Sequence, residues 1–147
     1  MEHAATAPEA SRSRATAWFD VDGTLVGTNL LHPMVHLLGK QATPLQSAKR
    51  LGKALLSAPL LAAAELRDRR RFNELLFSHY AGMSEDRLVV LADETFERVI
   101  APRIFPGTRD LIAQCRRARL RVVLVTGALD ITVAPLAREL GVDGVIA

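Results

Sequence analysis

Asp20 and Asp22 flank Val21 in the stretch FDVDGTLV, residues 19–26, where an apolar run gives way to a Gly-Thr turn. In an extended segment, residues i and i+2 point to the same side, roughly 6.6 Å apart along the strand. Both carboxylates then face one crevice and Val21 faces the core. Carboxylates this close repel unless one is protonated or a cation sits nearby, and residues 15–31 contain no Lys or Arg. Two readings stay open at this point. Asp and Gly are ordinary turn residues, and the stretch is an acidic turn; or the pair holds a metal and does chemistry. Mg²⁺ suits the second reading, because it prefers oxygen ligands, often takes one or two carboxylates, and leaves room for phosphate and water. Gly23 permits the tight turn, and Thr24 offers a hydroxyl to orient a neighbouring carboxylate. A calcium loop is excluded: counted from Asp20, Gly23 comes too early and Leu31 falls where the bidentate Glu belongs. P-loop and dinucleotide glycine patterns are absent from the 147 residues.

These acids need a frame to hold them. TAWF, residues 16–19, is short, apolar and bounded by the acidic turn, so it reads as a buried strand. RVVLV, residues 121–125, is the continuous run of a strand covered on both faces, and it ends abruptly in Thr126-Gly127. A helix through Val133 to Leu140, stopped by Gly141 in the left-handed cap position, leads to a third short strand in VDGVIA. Strands alternating with helices predict a parallel sheet in an α/β fold, with ligands beyond the carboxyl ends of the strands. Asp20 and Thr126 each sit at such an end.

Between the first two strands lies a helical insert. Leu45, Ala48, Leu51 and Leu55 recur at helical spacing. Pro44 opens that helix, and Pro59 is expected to kink or break it. Ser84 is read as the cap of a second helix, with Glu85 and Asp86 at its positive end and Leu88, Leu91, Ala92, Phe96 and Val99 on its apolar face. GTRDLIAQCRRA reads as a helix capped by Thr108, with Leu111, Ile112 and Cys115 turned inward. The organisation is a disordered tail over 1–14, an α/β core over 15–27 and 102–147, and the helical insert over 28–101.

The chain matches one domain in length, and 49% apolar with 24% charged residues is a soluble, globular composition. A single cysteine excludes an internal disulfide framework and a Cys-rich metal site, and fits a cytoplasmic location. The net charge of +3, with 5% aromatic residues and no interleaving of basic and aromatic side chains, argues against nucleic acid as a partner. The N-terminal stretch has no apolar h-region of a secretory signal. The most apolar later run, ALLSAPLLAAAEL from Ala54, falls short of the roughly 20 residues of a membrane helix.

FDVDGTLV resembles the first motif of the haloacid dehalogenase-like hydrolases, a superfamily dominated by Mg²⁺-dependent phosphatases. VVLVTGA resembles its second motif, and the insert resembles the cap of the IB branch, which includes phosphoserine phosphatase. The resemblance implies a three-layer, Rossmann-like parallel sheet with an α-helical cap. It implies that Asp20 attacks phosphorus to form an aspartyl-phosphate, and that Asp22 acts as general acid and then base. Mg²⁺ would be held by the Asp20 carboxylate and the Asp22 carbonyl, and the phosphoryl group of a small phosphorylated substrate by Thr126 and Gly127. The dehalogenases lack the second acid and the transport ATPases have Thr there, so Asp22 points to phosphomonoester hydrolysis.

The pattern is also broken. The family has a lysine and a Gly-Asp acidic motif beyond the third strand, whereas the only lysines here are Lys40, Lys49 and Lys53, in the cap. The resemblance therefore implies a truncated enzyme, weak or inactive alone, whose first strand becomes a sheet edge through which copies self-associate. Two other classes remain: a non-catalytic phosphate-binding or interaction fragment, and a membrane-associated protein using the basic clusters KRLGK and RDRRR. A solvated basic cap face is the ordinary reading of such charge runs. His32 and His36 have the spacing of a zinc pair without a third ligand. Asn29 stands where the phosphoserine branch tends to have a Glu, an argument against phosphoserine.

Overall fold

The computed structural model describes residues 14–147; apart from Arg14, the tail expected over 1–14 lies outside the described residues. The chain folds as an α/β structure. Strands β1 (Thr16–Asp20), β2 (Arg121–Val125) and β3 (Gly144–Ile146) form a parallel sheet in the order β1-β2-β3. The register sets Asp20 opposite Val125 and Val125 opposite Ile146, so the carboxyl ends are level. Alternation then decides the faces. Phe19, Leu124 and Val145 pack with Val133, Leu136 and Leu140 of a helix spanning Asp130–Leu140. Trp18, Val125 and Ile146, on the other face, stay substantially exposed.

Numbered in chain order, the helices are α1 (Leu31–Gly39), α2 (Pro44–Arg67), α3 (Arg69–Phe77), α4 (Glu85–Thr95), α5 (Thr108–Arg117) and α6 (Asp130–Leu140). Helices α1, α2 and α3 share a core of Met34, Leu38, Ala54, Leu61, Phe72 and Leu76. Helix α4 leans instead on α6, with an Arg138–Asp93 ion pair, and a π-turn after it, Phe96–Ile100, places Phe96 and Ile100 in the cluster under the sheet. Gly141 closes α6 at φ 59°, as its type predicts. Among the described residues, no helix is long and apolar enough to cross a membrane.

Four sequence expectations fail locally. Pro59 does not break α2, which is continuous from Pro44 to Arg67 under a cap in which Thr43 accepts from the Gln46 N–H. Its missing N–H costs the bond to the Leu55 carbonyl, and both residues are exposed, so the freed carbonyl belongs to a solvent-facing residue. The helical spacing of Leu45, Ala48, Leu51 and Leu55 is present in α2, but the buried residues are Ala54 and Leu61; Leu51 is half-buried, and Leu45, Ala48 and Leu55 are exposed. Leucine and alanine occur all round this helix, so spacing alone does not single out a face. Ser84 holds the N-cap position of α4 without a side-chain capping bond. Thr108 is the first helical residue of α5, not its cap, and of the three side chains expected inward only Ile112 is buried, Leu111 being exposed.

Thr108 does something else. Its buried hydroxyl donates to the Leu25 carbonyl at 2.8 Å, across 83 residues of sequence. The same carbonyl accepts from the Phe105 N–H at 3.0 Å, and the Gly27 N–H donates to Arg103 at 2.7 Å. These bonds close the stem of the insert directly behind the acidic turn. Thr108→Val is expected to cost about 1 kcal/mol, read as a lower urea midpoint with unchanged slope. Because β1, among the described residues, pairs only with β2 and carries the exposed Trp18, sedimentation velocity is expected to show concentration-dependent association that Trp18→Lys reduces.

Candidate active site

After Asp20 the chain turns through Gly23, whose φ of 78° belongs to the left-handed region that favours glycine. The N–H groups of Thr24, Leu25 and Val26 all point back at the Val21 carbonyl, at 3.0–3.2 Å. Val21 is thereby driven into the core, and the two acids project at the strand end. Thr24 donates its hydroxyl to Asp20 Oδ2 at 2.9 Å, the orienting role its position predicts. Buried Thr28 donates to Asp22 Oδ1 at 3.2 Å.

Thr126 reaches the same place from β2. Its N–H is taken by the Ile146 carbonyl at 2.9 Å, and its Oγ1 accepts from the Ala128 N–H at 3.0 Å, leaving the hydroxyl proton to donate elsewhere. The side chain lies close enough to the Asp22 carboxyl to act on its ionisation. Burial pushes the Asp22 pKa above the ordinary carboxylate range and the neighbouring Asp20 adds to this, against the opposing pull of Thr28, Thr126 and His32. A carboxyl in such surroundings keeps its proton to higher pH than a free one.

Asp20, Asp22 and Gly127 line a cleft of about 260 Å³ whose opposite wall comes from the insert, with Asn29, Arg69 and Phe72. The four sequence-predicted site residues thus meet at one rim. Two carboxyl groups at one rim, with the nearby His32 ring engaged by Asn29, fit a hard cation that retains several waters better than a tetrahedral zinc site. Among the described residues, no group of three His, Cys, Asp or Glu side chains converges on a metal position. His32 and His36 do not pair: the first bonds Asn29 Oδ1 at 2.7 Å and the second Thr95 Oγ1 at 2.9 Å. Asp143 accepts from the Val122 N–H at 2.7 Å, a structural role.

Sequence reasoning missed Thr28, Arg69 and Asn73. Arg69 sits in a run of arginines that reads as solvated charge. Asn73, whose amide nitrogen lies 3.7 Å from where a Cβ on Gly127 would be, comes from mid-helix with no motif around it. Thr28 alone left a signal, a small polar residue just past the acidic turn, and the structure shows that it is buried.

Residues 17–147 match the haloacid dehalogenase-like hydrolase family, and the chain belongs to that family. It is 29% identical over 133 residues to phosphoserine phosphatase SerB1 of Mycobacterium tuberculosis and to a Mycobacterium leprae protein named as a hydrolase. Those alignments cover 90% of this chain but only 43–44% of the relatives, so the chain spans less than half their length. A crystal structure of a Bordetella pertussis protein of unknown function shares the fold, with a TM-score of 0.69 at 24% identity over 91% of this chain and 60% of that one.

The electrostatics of Asp22 give a direct test. A folded-state pKa above the unfolded value favours the fold at low pH, and that contribution is lost as pH rises through the raised pKa. Asp22→Asn, which keeps an acceptor for Thr28, is therefore expected to raise the melting temperature at pH 7 in EDTA. Its advantage over the parent should shrink as pH falls below the ordinary carboxylate range.

Proposed function

We propose that the cleft hydrolyses phosphomonoesters with Mg²⁺ through an aspartyl-phosphate on Asp20. The observation that carries the reading is the convergence of a desolvated acid, Asp22, with Asp20 and the Thr126 hydroxyl at the carboxyl ends of adjacent parallel strands. The order of motifs and the family membership of residues 17–147 support it, as does the phosphoserine phosphatase name of one relative.

In this reading Thr24 fixes Asp20 Oδ2 and leaves Oδ1 to attack phosphorus as the ester oxygen departs. Asp22, protonated at Oδ2 while Oδ1 accepts from Thr28, gives its proton to that oxygen. The carboxylate so formed takes a proton from the water that cleaves the acyl-phosphate, which restores Asp20. Thr126 donates to the transferring phosphoryl group, with the Gly127 backbone beside it. Mg²⁺, held by the Asp20 carboxylate and the Asp22 carbonyl, would screen the repulsion between nucleophile and phosphate. The family's lysine and Gly-Asp motif are not among these 147 residues, and turnover by them alone is slow in this reading.

The test is p-nitrophenyl phosphate hydrolysis with Mg²⁺, by this chain and by Asp20→Asn. Turnover is expected from the parent only and is lost in EDTA; equal rates, high or nil, remove the case for Asp20. Asp22→Asn is expected to cost about 10²–10⁴-fold on an alkyl phosphate. The loss of phosphorylation rate on p-nitrophenyl phosphate is smaller, because that leaving group departs without a proton.

A further inference from the structure

A second space opens off the catalytic cleft. Between α1 and α2 runs a groove of about 420 Å³, walled by Met34 and Val35 on one side and Ala58, Leu61 and Ala62 on the other. Leu31, Glu65 and Phe72 line both groove and cleft, so the two adjoin. Glu65, at this junction, is the only charged or polar residue lining the groove among the described residues. A polar leaving group extending that way would find no hydrogen-bond partner, whereas a hydrocarbon chain would shed its water there.

The surroundings fit the same kind of molecule. Leu55 at the groove's lip is 75% exposed, and Leu56 and Leu66, elsewhere on α2, are 86% and 88% exposed. A solvated cap helix carries polar groups on its outer face; α2 carries leucines. Helices α2 and α3 together hold seven Lys and Arg against two Glu, and Arg69 stands in the cleft itself. Apolar walls beside a cationic rim match a ligand that is a hydrocarbon at one end and an anion at the other.

We infer that the substrate is an amphiphilic phosphomonoester, its phosphate at Asp20 and Thr126 and its alkyl or acyl chain in the α1–α2 groove. This rests on the phosphatase reading of the cleft and adds the substrate class to it. Small residues at positions 58 and 62 keep the groove open, and the chain leaves the phosphate past Leu31 and Phe72.

Non-hydrolysable alkylphosphonates test this without relying on turnover. Methyl-, butyl-, hexyl- and octylphosphonate are titrated calorimetrically with Mg²⁺, below their micelle concentrations, into the parent, Ala58→Trp and Thr126→Val. The affinity of the parent is expected to rise by up to about fourfold per methylene, the value of full burial. The series flattens in Ala58→Trp, which fills the groove from an exposed position, and every member weakens in Thr126→Val. Methylphosphonate binding with no chain-length dependence overturns the groove and leaves the phosphate site standing. No binding by any member, methylphosphonate included, overturns the phosphate site and the inference with it. A chain-length dependence that survives both substitutions is adsorption to the outer leucines, and also overturns the inference.

Discussion

The carbonyl of Leu25 holds the molecule together in a literal sense. It accepts from the Phe105 N–H and the Thr108 hydroxyl, and so joins the residue after the acidic turn to the point where the chain re-enters the sheet layer. Closing a loop of about eighty residues costs about 4 kcal/mol beyond a constant. Two hydrogen bonds of about 1 kcal/mol each do not offset that. Leu25 and Val26 supply the rest, both 1% exposed, since each buried aliphatic side chain is worth about 1.5–3 kcal/mol. The insert is thus tethered where the acids are, and its α1–α3 core hangs over the cleft from a stem that cannot drift from it.

That tether explains how a repulsive pair is tolerated. No Lys or Arg in residues 15–31 compensates Asp20 and Asp22, and burial of Asp22 makes its charged form worse. The turn is held regardless, because three consecutive N–H groups converge on the Val21 carbonyl and Val21 itself is buried. The backbone, stabilised by packing beneath it, carries an electrostatic cost above it. Strain of this kind persists at sites where surrounding structure over-determines it. In the reading proposed here, the substrate phosphate, its cation and one proton complete the balance.

Much of this was legible in the sequence because it depends on local rules. Three apolar runs of strand length, a Gly at the end of α6 and a Pro after Thr43 each specify their structures with little help from distant residues. The positions of the four candidate site residues were legible for a related reason: each sits at or just beyond a strand end, where the change from apolar to polar is abrupt. What depended on partners was not legible. Thr108 has the type and place of a cap, and only the approach of Leu25 turns its hydroxyl to another use. His32 and His36 share a helical spacing, but Asn29 and Thr95 claim them separately. Arg69 lies in a charge run that is solvated except where it meets the cleft.

Helix α2 shows most plainly where pattern reading stops. Its period is helical and its composition apolar, so its existence was never in question. Which side would be covered could not follow, because a helix apolar nearly all round is equally ready to bury any face. Helices α1 and α3 cover the side of Ala54 and Leu61, and the remaining leucines are left outward. For a helix whose only role was to roof the cleft, outer leucines would be replaceable by polar residues at no loss to the core beneath. Ala54 and Leu61 are fixed by the packing of the chain itself; the outer leucines are not, and the amphiphilic ligand inferred above would give them a use.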